Sequence, residues 1–384
     1  MSELLRQEIA ATADTIVVKV GTRVLSRADG QLDEKHITRL AEELSQIRER
    51  GRRVVLVSSG AVGAGLGRLG LDRRPTDLAQ LQAVAAIGQT NLIETYDRTF
   101  RKRGHHAAQV LLTAEDTQDR TRYLNVRNTL RSLLDFDAIP IINENDTVAV
   151  EELMTTFGDN DRLAALVTNL LGAPLLVMLS DVEGLFDGDP AKPDSKLIST
   201  VTRLDDSVRA LAYDTATGVS KGGMASKLEA ARIVTAAGEN AIIANGHQPG
   251  VLGRILAGEP VGTLLLAEGK SVSPWKRWIG FSARPRGKLH LDPGAARAVA
   301  SDGRSLLAIG IVSAEGEFNK GDIVTLCDEN GQELARGLTN YRASDIERIK
   351  GLKSDRIAQV LGHRPYEEVI HRDNLALVAA QPEP

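Results

Sequence analysis

The sequence has only one cysteine, Cys327, in 384 residues. A single cysteine cannot form an intramolecular disulfide and suits a reducing compartment, and we expect Cys327 to be a small core residue rather than a nucleophile. No apolar run approaches the length of a membrane span, and Glu3 and Glu8 lie where a secretion signal would be basic and then apolar. We therefore expect a cytoplasmic protein that does not associate with membranes.

The sequence also lacks an excess of charge of either sign. Its 47 Lys and Arg residues nearly balance 51 Asp and Glu residues, so the net charge is −4 and the isoelectric point is near 6.0. Such a chain has no general attraction for nucleic acid or for an anionic membrane. An anionic ligand must therefore be held by local lysines, backbone N–H groups or a metal ion.

Short apolar runs alternate along the chain with longer stretches of helical periodicity. The predicted strands are Thr15–Val20, Arg53–Val57, Ala107–Leu112, Ile139–Ile142 and Leu175–Leu179. The predicted helices are Ile37–Arg50, Asp77–Phe100, Arg120–Leu134, Asp161–Leu171 and Met224–Ala237. This alternation predicts an α/β fold in which helices sandwich a mainly parallel central sheet. In such a fold, ligands bind in loops at the carboxyl ends of the strands.

The alternation weakens after Leu266, and the segment Ser271–Gly287 contains two tryptophans, two prolines and several basic residues. Short predicted strands follow at Leu306–Val312, Asp322–Leu326 and Leu334–Gly337. We therefore predict an α/β domain at 1–270, a linker at 271–285 and a small β-rich domain at 286–384. Trp275 and Trp278 could stack on nucleic acid, but we expect them to pack between the two domains.

Two clusters of acidic and amide residues are the most informative feature of the sequence. Asn143–Asp146 follows the strand-like run Ala138–Ile142, and Asp159–Asp161 comes soon after it. A turn after a buried parallel strand is where an α/β sheet binds ligands, and these polar groups are too costly to bury without partners. The first cluster therefore predicts a site for a polar ligand.

Three strand-end loops are rich in glycine and small hydroxyl residues: Lys19–Thr22, Ser58–Gly65 and Gly222–Lys227. Any one of them alone is more typical of a tight turn beside a solvated lysine. Their joint occurrence favours phosphate binding, because glycine lets backbone N–H groups approach an anion and a following helix directs its positive dipole end at it. Walker A spacing and the protein-kinase motifs are both missing from the sequence, which disfavours those two classes.

Six loops together resemble those of the glutamate 5-kinases, in the same order along the chain. They are Lys19–Thr22, Ser59–Val62, Asn143–Asp146, Gly158–Asp161, Ser180–Phe186 and Gly222–Lys227. The lysine loops and Asp181 are shared by the amino-acid kinase superfamily, whereas the two acid-and-amide clusters are similar to those of glutamate 5-kinases in particular. The segment Arg286–Gly362 resembles the PUA domain, named for pseudouridine synthases and archaeosine transglycosylases, which many bacterial glutamate 5-kinases carry.

The resemblance implies transfer of the γ-phosphoryl group of ATP to the side-chain carboxylate of L-glutamate, giving glutamyl 5-phosphate for proline biosynthesis. It also implies Mg²⁺ carried by ATP, with no protein side chain assigned as a metal ligand, and feedback inhibition by proline. Family members are dimers or tetramers, and a labile acyl phosphate suggests handover to a glutamyl phosphate reductase. RNA binding by the PUA-like domain is not favoured, because its charges are balanced and no dense basic face is expected.

The implied chemistry needs positive charge rather than a general base. A glutamate side chain with a pKa of about 4.3 is already ionised at neutral pH, and it approaches an anionic phosphoryl group. Similarity to the family places Lys19 beside the transferring phosphate and Lys227 with the nucleotide phosphates, and Asp161 is the third candidate catalytic residue. The candidate ATP-binding residues are Lys19, Ser180, Asp181, Lys221, Gly222, Gly223, Met224, Ala225, Ser226 and Lys227. Asp181 as a turn former and Lys221 as a solvated side chain are the alternatives.

The candidate glutamate-binding residues are Ser59, Gly60, Asp146, Asp159 and Asn160. Asp146 and either Asp159 or Asp161 can pair with the ammonium group, while Asn160 and the N–H groups around Ser59 and Gly60 take the carboxylates. The resemblance itself maps substrate binding onto Ser59, Asp146 and Asn160. Alternatively, one aspartate orients the lysines or binds magnesium through water, and Asp159 caps the helix that follows it.

Two other functions stay open from the sequence alone. One is an RNA-associated protein with a regulatory kinase-like domain, against which the intact Lys19 and Lys227 argue. The other is a related kinase whose acceptor is aspartate, acetylglutamate, carbamate or a phosphorylated compound, which product analysis would distinguish. His105 and His106 have no third ligand at metal spacing, so we expect a solvated turn there.

Overall fold

The computed structural model describes residues 2–27, 30–148, 160–190, 192–212, 223–269, 272–362 and 366–378. The chain forms two units, one comprising Met1–Thr117 and Thr121–Lys270 and the other comprising Gln118–Arg120 and Ser271–Pro384. The first unit is built on a large α/β sheet, and the second contains a smaller, mostly antiparallel sheet.

The sheet of the first unit has, in the described residues, the strand order β3-β4-β2-β1-β5-β7-β8-β6. The strands are β1 (Thr15–Val20), β2 (Arg53–Ser58), β3 (His106–Leu112), β4 (Ala138–Glu144), β5 (Leu175–Ser180), β6 (Thr200–Val201), β7 (Asn240–Asn245) and β8 (Thr263–Leu265). Neighbouring strands are parallel except for β7 and β8. The predicted α/β fold with a mainly parallel sheet is therefore confirmed, and each of the five predicted strands is present.

Helices pack on both faces of this sheet. The described helices between Ser2 and Leu256 are α1 (Ser2–Thr12), α2 (Thr22–Leu25), α3 (Glu34–Glu49), α4 (Ala61–Leu69), α5 (Leu78–Lys102), α6 (Ala114–Gln118), α7 (Arg120–Asp135), α8 (Asn160–Leu171), α9 (Asp206–Arg209), α10 (Met224–Thr235) and α11 (Val251–Leu256). Ile16 and Val18 of β1 belong to one core cluster with residues of α3, α5 and α11. Val17 between them is equally buried but faces the other way, and α8, which contacts β1, contributes nothing to that cluster. Among the described helices, none is long and apolar enough to cross a membrane.

The glycine-rich segment Ser58–Gly65 was wrongly predicted as a loop throughout, because α4 begins at Ala61. Gly65 of this segment serves helix packing, because a Cβ atom added to it would lie 1.9 Å from the carbonyl oxygen of Val84 in α5. A Cβ atom added to Gly88 of α5 would lie 1.8 Å from the carbonyl oxygen of Ala61, so α4 and α5 approach each other with no room for a side chain at this crossing. A composition typical of a flexible loop therefore marks a close contact between two helices.

The second unit has a sheet with the strand order β10-β9-β11-β12-β13 in its described part. The strands are β9 (Gly287–Leu291), β10 (Ile311–Glu315), β11 (Ile323–Cys327), β12 (Glu333–Leu338) and β13 (Leu375–Leu377), and the helices are α12 (Pro274–Arg277), α13 (Pro293–Ala300), α14 (Ala343–Ile349) and α15 (Ile357–Leu361). The predicted strand Leu306–Val312 was mostly wrong, since Ala308–Gly310 is a 3₁₀ helix and β10 begins only at Ile311. The other two predicted strands are present as β11 and β12.

Buried side chains explain the short elements of the second unit. Leu289, Val324 and Ile346, from β9, β11 and α14, are each completely buried in one core cluster. The rings of Trp275 and Trp278 stack with centroids 5.4 Å apart, and the Trp275 Nε1 atom donates a hydrogen bond of 2.9 Å to Asn374. The predicted linker at 271–285 therefore contains ordered structure, including α12 and a single π-helical turn at Trp278–Ser282.

Candidate active site

Three buried charged side chains meet where β1, α8 and α10 approach each other. Lys19 Nζ lies 2.7 Å from one carboxylate oxygen of Asp161, and Lys227 Nζ lies 3.2 Å from the other. Ser226 Oγ donates a hydrogen bond of 2.7 Å to the same oxygen as Lys227. The exposed fractions of Lys19, Asp161 and Lys227 are 5%, 1% and 4%. Asp161 therefore holds two ammonium groups from distant parts of the sequence in one place.

The charges of this cluster determine its protonation. Burial by itself would raise the pKa of Asp161, but the charges of Lys19 and Lys227 outweigh that effect and lower the pKa to about 2. Burial lowers the pKa of Lys227, and Asp161 opposes this change. Asp161 is thus ionised at neutral pH. With both lysines protonated, the cluster has one net positive charge, which suits an anionic ligand.

A network of buried amide groups lies next to the charged cluster. The Asn160 Nδ2 group donates to Ser59 Oγ and to Asn143 Oδ1, each at 3.1 Å. Asn143 Nδ2 donates to Gln89 Oε1 at 2.9 Å, and Asn143 Oδ1 also accepts from the backbone N–H of Glu144 at 2.9 Å. Because Asn160 directly precedes Asp161 in α8, the amide network and the charged cluster share one turn of helix.

Backbone geometry places Ser59 at this position. Its N–H group donates to the carbonyl oxygen of Val20, the last residue of β1. Gly60 follows with a φ of +105°, a conformation that side chains strongly disfavour, and forms the N-cap of α4. The first N–H groups of this helix therefore point towards the same end of the sheet as Ser59.

Of the two aspartates predicted to bind glutamate, Asp146 lies within the described residues and Asp159 lies outside them. Asp146 is half-buried in the turn that directly follows β4, close in sequence to Asn143. This turn is tied to the neighbouring strand, because the N–H group of Asn145 donates to the carbonyl oxygen of Leu112 at 2.8 Å. Asp159 lies outside the described residues. The structure thus brings Ser59 and Asn160 into contact and places Asp146 at the end of an adjacent strand.

The predicted nucleotide-binding pair lies at the end of β5. Ser180 is its last residue, and the Ser180 Oγ atom donates to Asp181 Oδ1 at 3.1 Å. The other Asp181 oxygen is 2.8 Å from Arg23 Nη1. Partial burial would raise the pKa of Asp181, but the hydrogen bond from Arg23 lowers it overall. Arg23 therefore links the segment after Lys19 to the predicted nucleotide loop.

The predicted phosphate loop is described from Gly223 onwards, whereas Lys221 and Gly222 lie outside the described residues. Gly223 is the N-cap of α10, and Met224 and Ala225 form its first turn. Gly223 has no side chain that could cap the helix, and the N–H groups of a helix N-terminus favour an anion. In the described parts of the chain, no cluster of three or more His, Cys, Asp or Glu side chains could hold a metal ion.

Sequence reasoning overlooked Gln89 and Arg23 and gave Asn143 no role of its own. Gln89 lies four residues after Ala85 and three before Leu92, which places a polar side chain on the buried face of α5. A long amide side chain on a mostly apolar helix face was therefore a signal available from the sequence. For Arg23 we find no comparable signal, because its partner Asp181 is 158 positions away.

Comparison with known proteins gives consistent results along nearly the whole chain. Residues 14–245 match the amino acid kinase family, and residues 287–361 match the PUA domain. A glutamate 5-kinase from Rhodopirellula baltica is 52% identical over 373 residues, covering 97% of this chain and 96% of that protein. Those from Caldanaerobacter subterraneus and Rippkaea orientalis are 47% and 48% identical, each over 94% of this chain and at least 97% of the relative.

Proposed function

Because the chain belongs to the amino acid kinase family and, within it, to the glutamate 5-kinases, we propose that Lys19, Asp161 and Lys227 carry out its phosphoryl transfer. The reaction passes the γ-phosphoryl group of ATP to the side-chain carboxylate of L-glutamate and gives L-glutamyl 5-phosphate, the first step of proline biosynthesis. The observation that carries the assignment is the buried carboxylate of Asp161 between two lysines.

The chemistry follows from the charge of this cluster. A carboxylate oxygen of glutamate forms a new bond to the γ-phosphorus while the bond to the oxygen that bridges the β- and γ-phosphates breaks, and ADP leaves. The acceptor is already ionised, so no proton has to be removed. Lys19 and Lys227 offset the negative charge of the two reacting groups and of the leaving oxygen. Asp161 keeps both ammonium groups in place, which is the alternative role that the sequence left open for an aspartate.

We propose that glutamate binds beside the amide network. Ser59 and the N–H groups at Gly60 take its carboxylates, Asn160 holds the Ser59 hydroxyl through the N–H group that it donates to it, and Asp146 together with Asp159 pairs with the ammonium group. Support comes from the N-terminus of α4, which favours an anion, and from the hydrogen bond that Ser59 Oγ accepts from Asn160, which leaves the hydroxyl proton of Ser59 to donate to a carboxylate. Asn160 directly precedes Asp161 in α8, so an acceptor bound beside Asn160 lies next to the charged cluster.

ATP is proposed to bind on the other side of the lysines, between the end of β5 and the start of α10. Ser180 and Asp181 contact the nucleoside part, and the segment 221–227 surrounds the phosphates. Kinases of this kind use a divalent metal with ATP, and we propose Mg²⁺. Asp161 already pairs with two lysines, so we expect the ion to arrive with the nucleotide as MgATP.

Further properties of the family are proposed for this chain as well. They are feedback inhibition by proline, assembly into a dimer or tetramer, delivery of the product to a glutamyl phosphate reductase, a cytoplasmic location, and domain limits at 1–270, 271–285 and 286–384. Proline inhibition rests on a chemical argument, because proline retains the α-carboxylate and amine nitrogen of glutamate.

The experiment that tests the proposed function compares acceptors. ADP release is measured with MgATP and, separately, L-glutamate, aspartate, acetylglutamate and carbamate. We expect ADP release to depend on L-glutamate. Release with a different acceptor alone would keep the phosphoryl transfer and change its substrate, whereas salt-sensitive RNA binding without any ADP release would contradict the assignment.

A further inference from the structure

The direction of the buried amide network is fixed by a backbone group. The Glu144 N–H group can only donate, so the atom of Asn143 that faces it at 2.9 Å must be the oxygen. Asn160 must then present its NH₂ group to that oxygen, and the Asn143 NH₂ group must face Gln89. One N–H group of the main chain thereby sets the orientation of three side-chain amides.

Gln89 completes this network from outside the substrate site. It lies on α5, is 7% exposed, and accepts from Asn143 Nδ2 through Oε1. Its own Nε2 atom is buried and has no hydrogen-bond partner among the described residues. A buried amide that leaves its donor unsatisfied costs stability, so a Gln that serves only packing would be a poor choice at this position. The described contacts give it one use, which is to accept from Asn143.

We infer that Gln89 is a positioning residue for the glutamate site and acts through Asn143 and Asn160. This inference rests on the proposed function for the identity of the ligand. The Glu144 N–H group determines which end of the Asn143 amide is the oxygen, and the Gln89 oxygen holds the opposite, NH₂ end in place. The Asn143 amide held at both ends in turn directs the Asn160 NH₂ group to Asn143 and Ser59. Without the oxygen, the Asn143 NH₂ group has no acceptor there, and the amide can rotate away from Asn160.

The position of α5 makes this arrangement rigid. Gly88 lies so close to α4 that a Cβ atom there would be 1.8 Å from the carbonyl oxygen of Ala61, and Gln89 is the next residue. The same α4 begins directly after Ser59 and Gly60. The crossing of α4 and α5 therefore fixes the position of Gln89 relative to Ser59. The lysine cluster is built from β1, α8 and α10, so loss of the Gln89 oxygen is expected to affect glutamate rather than ATP.

The test uses two substitutions at Gln89 and a matched control. Gln89→Met keeps an unbranched side chain of similar length but removes the oxygen. Gln89→Glu retains an oxygen acceptor in either protonation state. The control, Thr95→Val, removes another buried polar group of α5. Among the described residues, the Thr95 hydroxyl bonds only to the carbonyl oxygen of Asn91 in the same helix. Kinetic constants for glutamate and ATP, melting temperature and crystal structures are compared for all four proteins.

We expect Gln89→Met to raise the KM for glutamate about 10-fold, as for the loss of one hydrogen bond, and to change the KM for ATP less than about twofold. Gln89→Glu should recover most of this loss, increasingly so at lower pH as the new carboxyl group is protonated and its charge disappears. Thr95→Val should leave both KM values unchanged. Equal effects of Gln89→Met and Gln89→Glu on the glutamate KM, or equal changes in both KM values, would overturn the inference.

A structural measurement separates this inference from the proposed function. In a crystal structure of the Gln89→Met variant, the Asn143 and Asn160 amides should be rotated or displaced relative to the unsubstituted protein. Unchanged amides would overturn the inference even if the protein phosphorylates glutamate. Conversely, displaced amides in a protein that does not use glutamate would support the positioning role and refute the proposed substrate.

Discussion

Replacing Asp161 by asparagine removes the negative charge between two buried lysines while preserving the shape of the side chain. In the variant, Lys19 and Lys227 are left as neighbouring ammonium groups with no carboxylate between them, and both are about 95% buried. Removing one partner of a buried ion pair costs about 3–5 kcal/mol, because the remaining charge is uncompensated. Part of this cost is relieved if Lys227 loses its proton, since burial already lowers its pKa.

The expected size of both effects follows from the structure. A loss of about 3–5 kcal/mol corresponds to a fall of roughly 6–20 °C in the melting temperature of a unit this large. Turnover should fall about 10²–10³-fold, as for other enzymes that lose one preorganised charged or polar group. Differential scanning calorimetry and kcat at saturating MgATP and glutamate measure the two effects. The matched control is Asp97→Asn, which breaks an ion pair of 2.8 Å whose Arg101 is 72% exposed, and should cost less than about 1 kcal/mol.

The pH dependence gives an independent check. The pKa of Asp161 is lowered to about 2 in the folded protein, compared with about 3.9 for an unfolded chain. Its stabilising contribution is therefore fully present above about pH 4 and is lost as the pH falls towards 2. The difference in melting temperature between the unsubstituted protein and Asp161→Asn should shrink over this interval. A variant with near-normal turnover, or a melting difference that does not depend on pH in this range, would refute the reasoning.

Three further predictions follow from the same geometry. Lys19→Met and Lys227→Met should each lower kcat about 100-fold or more. Each should reduce the melting temperature less than Asp161→Asn does, because Asp161 stays paired with the remaining lysine. Near-normal turnover in either variant would contradict the assignment. Asp146→Ala should raise the KM for glutamate and leave that for ATP unchanged in initial-rate assays, and an unchanged glutamate dependence would rule out its pairing with the ammonium group. Gly88→Ala should destabilise by about 1–3 kcal/mol in calorimetry and raise the glutamate KM, whereas Gly253→Ala, which meets open space in α11, should be neutral or stabilising; equal effects would disprove the close helix crossing.

The fold could be predicted best where several signals coincide. The strand Thr15–Val20 was predicted with the limits that the structure gives it, because the apolar run Ile16–Val18 continues past Lys19 to Val20 and Gly21 follows directly. α4 was not recognised, since Gly63, Gly65 and Gly67 are typical of a loop unless the neighbouring helix is known. β8 has only three residues, too few to show any periodicity.

The candidate site, like the fold, could be predicted only in part from the sequence. Lys19, Asp161 and Lys227 stand in motifs that the sequence presents directly, yet their pairing depends on a fold that joins residues 66 or more positions apart. The roles of Asn143 and Gln89 depend on which way each amide points. That orientation is determined by the N–H group of Glu144, a tertiary contact that no local pattern in the sequence encodes.

The most direct test of the central claim is to trap the product. Purified protein is incubated with MgATP, L-glutamate and hydroxylamine, which converts an acyl phosphate into its hydroxamate, in parallel with the Lys227→Met variant. We predict that the unsubstituted protein forms glutamyl hydroxamate and ADP in equal amounts, and that the variant forms hydroxamate at least about 100-fold more slowly. ADP release without any hydroxamate, or equal hydroxamate formation by the two proteins, would contradict transfer to the glutamate carboxylate at the lysine cluster.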